Sequence, residues 1–466
     1  MLSRPAVVPT TNTVLAIVYF FLGLIVVANL AVEVPPFQNP DEPTHFLRAE
    51  QLSRFVPIGQ RIGPRAAGGE ADPGILRVFL SFGSIPFKGD HKVTRAMYAD
   101  AARVGWGGGT MLAEFSNTAV YPPFLYAPSV FAIWTGKLFH IPVVQTLYLA
   151  RAATGVAGVA IGAAAIALAG MAAPWLFVLL SLPMSLAQMA SPSQDGLMIP
   201  LAALAAALLF SGLRRAGPVS LPRFLTACVC LALISTARPP NAALALLLLL
   251  PWGPPLRLRL AGAAAVVAAT LAWAGLAAMT AAVAFRADVT PEHFPDPAAQ
   301  LAGVLADPAA FVAALGETLR LWSMTLIRQV VGSLGWLDTP LPDWLHSLAW
   351  VALAVGALLS ARSGTKLPRR LLVTAASGTA ILAAVFGMFL IQYLMWTPVG
   401  APSIEGVQGR YFLPPLMFAA GLLVIELPLA GSYGRLIRIG LSVALVMFPV
   451  VAFTATLRAI VGRYYF

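Results

Sequence analysis

Residues 34–55, VPPFQNPDEPTHFLRAEQLSRF, hold two adjacent carboxylates, Asp41 and Glu42, between prolines and just before His45. A carboxylate so placed can take the proton of an attacking hydroxyl, and a pair of them can hold a cation such as Mg2+ or Mn2+. Polar residues recur in short motifs far along the chain. Tyr121 opens YPPFLYAP, Asp195 lies in SPSQDG, Arg238 in ARPPN and Asp338 in GWLDTPLP; Glu405, Arg410 and Tyr411 lie in SIEGVQGRYFLPP. Arginine presents a planar fork of donors that matches phosphate oxygens. Carboxylates and arginines beside lipid suit an anionic amphiphile, and together they meet the needs of sugar transfer from a polyprenyl phosphate carrier. The acceptor oxygen would attack the anomeric carbon while the lipid phosphate leaves, its growing charge met by arginine or by a cation. Successive side chains diverge, so Asp41 and Glu42 do not aim at one atom. Asp41 is expected to be the base, with Glu42 supporting a metal, a basic residue or the loop.

The elements that position these residues are expected to be membrane helices. The 466 residues are 59% hydrophobic and only 11% charged, with mean hydropathy +0.81. A soluble domain carries roughly twice that charged share. Apolar runs near the length of a bilayer crossing recur at 13–33, 147–170, 175–191, 196–213, 223–237, 241–256, 260–284, 345–361, 371–394, 411–430 and 437–457. The fold class is therefore an all-α polytopic membrane protein with about eleven transmembrane helices. The net charge of +11 comes from scattered bases rather than a basic domain, which argues against nucleic acid. Cys228 and Cys230 lie inside an apolar run and form neither a disulfide framework nor a metal motif.

Basic clusters fix the expected orientation. Arg214, Arg215 and Arg223; Arg257 and Arg259; Arg362, Lys366, Arg369 and Arg370; and Arg435 and Arg438 stand in turns with no acidic residue. The positive-inside rule places these turns in the cytoplasm. The polar motifs then share the opposite face, and Tyr121 to Phe139 is expected to be a juxtamembrane or re-entrant helix rather than a span. Within one integral membrane domain, 1–466, this leaves a long first extracytoplasmic loop, 34–145, carrying interfacial helices, and a second outer segment, 286–344. Each polar residue also has a plain structural use. Asp195 and Asp338 suit helix caps, Arg238 suits snorkelling to headgroups, and Asp41 and Glu42 suit a first helical turn. Arg410 with Tyr411 suits an interfacial anchor, and His45 suits a structural role.

The motifs NPDEPTHF, YPPFLYAP, SPSQDG, GWLDTPLP and QGRYFLPP, in that order, resemble a bacterial family of membrane proteins, the domain of unknown function 2142 family. Its architecture looks like that of GT-C glycosyltransferases. The resemblance covers about residues 14–430. It implies a bacterial inner-membrane protein whose site faces the periplasm or exterior, with a polyprenyl-phosphate sugar as donor and a glycan, lipid or protein as acceptor. In GT-C enzymes the first outer loop opens with an acidic residue that acts as base or metal ligand; by position that role falls on Asp41, with Glu42 beside it. His45, Tyr121, Asp195, Arg238, Asp338, Glu405, Arg410 and Tyr411 are candidates for substrate binding. The pair is D-E rather than the D-x-D of many soluble transferases, which leaves metal dependence open. A transporter or flippase for a lipid-linked saccharide is the rival reading, kept open by Arg151 and Glu426.

Overall fold

The computed structural model describes residues 11–107, 109–211, 219–284, 295–361, 367–423 and 431–466, and most of these are helical. The first helix, Thr11–Glu33, has a mean hydropathy of 2.6 over its most apolar window. Two consecutive prolines, Pro35 and Pro36, stop it, because a residue before proline is pushed out of helical geometry. The next helix, Glu42–Ser53, begins at once with Pro43 in its first turn, where the missing N–H costs nothing.

Between these helices and Val143–Leu168 the chain builds a small layer of its own. A three-stranded antiparallel sheet, Gln60–Gly63, Ala66–Ala71 and Met111–Glu114 in that order, was not among the sequence expectations. Its central strand, AAGGEA, lacks the alternation of large apolar residues that marks a strand. Gly68 is required there, since a Cβ would run into the Ala113 carbonyl. Ala67, Ala71 and Ala113 of the sheet pack with Phe115 and Ala119, and Phe37, Phe46, Ile75, Phe82, Ile133 and Leu147 form a second core in the same layer. The helix Ala127–Leu138, in the segment expected to lie along the membrane, has 12 residues. That is about 18 Å of rise, short of a bilayer core.

By length and composition, seven helices among the described residues could cross a membrane, or eight if one bent pair counts as a span. Six match expected spans: Thr11–Glu33, Val143–Leu168, Leu256–Thr280, Asp343–Ser360, Leu367–Met395 and the Leu436–Tyr464 part of the last helix. The expected count of about eleven is not reached among the described residues. The run 175–191 breaks at Ser181–Pro183 into two helices with a 78° bend between Gly170–Leu180 and Pro183–Met189, as a proline inside a helical pattern demands. The runs 196–213 and 223–237 become the shorter helices Asp195–Phe210 and Leu221–Ala237. The run 241–256 is a 3-10 segment, Pro239–Leu249, started by consecutive prolines. The run 411–430 opens with short turns, Gly409–Phe412, Leu413–Met417 and Phe418–Leu422, and its end lies outside the described residues, as do Glu426, Arg214, Arg215, Arg362 and Lys366.

The seventh candidate span departs from expectation in the other direction. Residues 286–344 were expected to be one outer segment, yet Pro308–Val331 is a 24-residue helix apolar enough to cross. Asp307 caps it by accepting from the Ala309 N–H at 3.0 Å. Glu317 and Arg320 pair across one turn at 2.6 Å, so charges that interrupt the hydropathy pattern satisfy each other on the helix.

Candidate active site

Five of the sequence motifs bring side chains to one cavity of about 430 Å³. Asp41, His45, Tyr121, Asp195, Arg238, Arg410 and Tyr411 line it. Local backbone explains why Asp41 faces inward. It precedes the Glu42–Ser53 helix with φ 57°, a left-handed conformation that aspartate tolerates better than most residues. An aspartate at that position usually turns its carboxylate back onto the helix N–H groups. Here the carboxylate makes no capping bond. Instead Oδ1 accepts from Asn117 Nδ2 at 3.1 Å and Oδ2 from Arg410 Nη2 at 2.6 Å.

Arg410 is held in the short turn Gly409–Phe412, where Gly409 packs its backbone against Leu326 and Gln329. Behind it, Asp195 Oδ2 lies 3.7 Å from Arg410 Nε, and Asp195 Oδ1 accepts from Arg238 Nη2 at 3.1 Å. The four charged groups thus alternate in one chain, Asp41, Arg410, Asp195, Arg238. Tyr411 lies under both guanidinium groups, 4.2 Å from Arg238 and 5.7 Å from Arg410. Their exposure differs: the Asp41 side chain is 31% accessible, against 3% for Arg410 and 5% for Asp195. Burial alone would lower the Arg410 pKa, but Asp41, Tyr411 and Asp195 outweigh it and hold the guanidinium firmly protonated.

His45 stacks on Tyr121, with ring centres 5.9 Å apart, and its Nδ1 lies 2.7 Å from the Tyr126 hydroxyl. Burial lowers its pKa to about 4, against the opposing pull of Asp41 and Asp195. At neutral pH the ring is uncharged.

Three expected site residues stand elsewhere. Glu42 is fully buried and takes two bonds from Arg151, Nη2 to Oε2 at 2.6 Å and Nε to Oε1 at 2.8 Å. Asp338 sits in the hairpin Ser333–Leu334 and Thr339–Pro340, accepting from the Phe87 N–H at 2.9 Å and pairing with Arg463 at 2.8 Å. Glu405 is half-buried beside the cavity, with Gly406 rather than its own side chain on the wall. Asp41 and Glu42 therefore face different arginines, in keeping with the expectation that successive side chains diverge. Among the described residues no three His, Cys, Asp or Glu side chains gather where they could hold a metal together.

Some lining groups were not foreseen. Asn117 carries no motif of its own, and only the fold sets it beside Asp41. Gln194 and Gln408 lie within SPSQDG and QGRYF, beside the charged residues of those motifs. The rest of the lining is mostly apolar: Trp273, Ala274, Ala277 and Ala278 come from Leu256–Thr280, and Met388, Ile391 and Met395, with Gln392, from Leu367–Met395. Both helices are long and apolar enough to cross a membrane.

The motifs that build this cavity fall within residues 24–419, and that stretch matches the family of predicted membrane proteins known as DUF2142. The chain belongs to the DUF2142 family. No curated protein and no solved structure matches it. For this DUF2142 protein, then, a functional reading rests on the cavity itself.

Proposed function

We propose that this protein is a membrane glycosyltransferase. It moves a sugar from a polyprenyl-phosphate-linked donor to a glycan, lipid or protein acceptor on the extracytoplasmic face of the bacterial inner membrane. One observation carries the reading: the cavity is lined both by two arginines and two aspartates and by apolar residues of two span-length helices. That is the mixed lining an amphiphile needs, with its phosphate and sugar against the charged groups and its chain against the apolar ones. The GT-C-like arrangement expected from the sequence, with residues 34–145 outside, agrees with the placement of charge. Arg223 and Arg438 line a recess at the other end of the bundle, with Thr11 at the start of the first helix and Leu168 at the end of Val143–Leu168. Bases gathered there suit a cytoplasmic end, and Asp41, one helix length away, suits the outside.

In this reading Asp41 takes the proton of the acceptor hydroxyl as its oxygen bonds to the anomeric carbon. The bond from that carbon to the phosphate oxygen breaks, and the phosphodiester becomes a monoester that gains one negative charge. Arg410 and Arg238 stabilise that charge in a site partly shielded from water. One direct displacement inverts the anomeric configuration; retention in the product would count against it.

The test is release of free polyprenyl phosphate from a panel of polyprenyl-phosphate sugars by purified protein in nanodiscs. Wild type should release it and Asp41→Asn should not, while Arg410→Ala should lose most activity. A flippase is the second reading, favoured by the bent pair Gly170–Leu180 and Pro183–Met189, since broken helices are common in transporters. Transbilayer movement of the lipid-linked sugar without consumption of any donor would establish the flippase and sink the transferase.

A further inference from the structure

Arg410 and Asp41 are assigned opposite tasks, one to hold the leaving phosphate and one to accept a proton. Yet they are bonded to each other at 2.6 Å. A carboxylate oxygen that accepts from Arg410 Nη2 is occupied by the guanidinium and is not open to an acceptor hydroxyl. An arginine in that bond has one of its donors already engaged. Neither group can do its work while the pair persists.

The surroundings show which partner is free to yield. Arg410 is almost wholly buried and is backed by Asp195 at 3.7 Å and by Gln188 Oε1 at 3.5 Å from Nη1. Asp195 is in turn shared with Arg238. Asp41 is the accessible member, and among the described residues its side chain is held, apart from Arg410, by one neutral donor, Asn117. The four charged groups carry no net formal charge together. An entering phosphate monoanion that bonds to Arg410 must displace a carboxylate, and Asp41 is the one facing the cavity with room to turn.

We propose that Asp41 is a substrate-released base. In the empty site it occupies Arg410 as an internal anion. The phosphate of the donor takes its place, and only then is the carboxylate free to take a proton from the acceptor. This rests on the transferase reading and adds an order to it, donor before acceptor, with a built-in guard against deprotonating an acceptor or water when no donor is bound.

The consequence has a sign that other roles for Asp41 do not share. Removing its charge removes a competitor, so the variant should bind the anionic lipid more tightly while losing transfer. A residue that held a cation for the phosphate or merely braced the loop would weaken binding when changed, and one that only ligated the sugar would leave the binding of a sugar-free lipid unchanged. The experiment measures affinity for a sugar-free polyprenyl monophosphate in nanodiscs, with size-exclusion profiles to check folding. Asp41→Asn is expected to bind about tenfold more tightly than wild type, the scale of one close charge pair. Asp41→Ala should do the same and serves if the first variant does not fold. Asp41→Glu, which keeps the charge, should show no gain. Equal or weaker binding by both neutral variants would overturn the inference and leave the transferase reading standing. If wild type and both neutral variants bind no polyprenyl monophosphate, it is the transferase reading that fails.

Discussion

At the scale of single residues, the PDE motif separates two neighbours by task. Asp41, in a left-handed backbone conformation, reaches the cavity, while Glu42 turns to Arg151 and the bundle. His45, four residues after Asp41, is kept neutral by burial, its pKa lowered to about 4. That has a pH consequence whose sign follows from proton counts. An unfolded histidine binds a proton near pH 6.5, so between about pH 6.5 and about pH 4 the unfolded state holds more protons than the folded one. Stability is therefore full above that window, falls as pH drops through it, and is lowered by about 3 kcal/mol at its acid end. Thermal unfolding in detergent at about pH 7 and about pH 5 should show this loss in wild type and much less of it in His45→Gln. An equal acid loss in both proteins would show that His45 is not its source.

At the scale of elements, the Glu42–Arg151 pair joins the segment after the first helix to Val143–Leu168. Arg151 also donates to the carbonyls of Ala31, Val34 and Pro35, at 2.8, 2.6 and 2.9 Å. Ala31 is in the last turn of a helix stopped by prolines, and its carbonyl lacks the amide partner that a continuing helix would supply; the Pro35 carbonyl also accepts from the Gln38 N–H at 3.2 Å. One guanidinium thus satisfies a helix end and a buried carboxylate, and it sets the position of Asp41. Replacing it by Met leaves Glu42 buried without its counter-charge, a loss of roughly 3–5 kcal/mol. Arg151→Met is expected to show a clearly lowered melting temperature, with Arg151→Met/Glu42→Leu recovering part of it. No recovery in the double variant would mean that the carbonyl bonds, not the ion pair, carry the stabilisation. GWLDTPLP works in the same way: Asp338 ties Phe87 and Arg463, and Trp336 Nε1 donates to the Phe37 carbonyl at 3.0 Å. The motif drew notice as a site and serves as a clasp, because a short polar run before a helix looks the same in sequence for either use.

At the scale of the whole molecule, the bundle sets the Asp41–Arg410–Asp195–Arg238 chain at one end and the recess lined by Arg223 and Arg438 at the other. If that asymmetry of charge sets orientation, two single cysteines read it. Ser84→Cys and Arg257→Cys, both at exposed positions, are each made in a variant whose Cys228 and Cys230 are replaced. A membrane-impermeant thiol reagent applied to intact cells should label the first and spare the second. The reverse pattern would place the cavity in the cytoplasm and remove the extracytoplasmic assignment.

How much of this was legible in the chain depends on the range of the interactions concerned. Membrane residence, the helical class, the first span and the interest of Asp41, Asp195, Arg238 and Arg410 follow from composition, hydropathy and local chemistry, which each segment carries in itself. Whether an apolar run such as 175–191 or 241–256 stays a straight helix depends on prolines and on what covers the freed backbone groups. Counting apolar runs therefore gives more spans than there are span-length helices among the described residues. The charges of Pro308–Val331 hid a helix for the converse reason, since their pairing is visible only once they lie one turn apart. Which carboxylate of the adjacent pair meets the cavity was decided by Arg151 and Arg410, residues 109 and 369 positions away from Glu42 and Asp41. Partners at such separations leave no mark on the local sequence. Only the tertiary structure, by fixing which buried charge must answer which, could tell the carboxylate that faces the cavity from the one that braces the bundle.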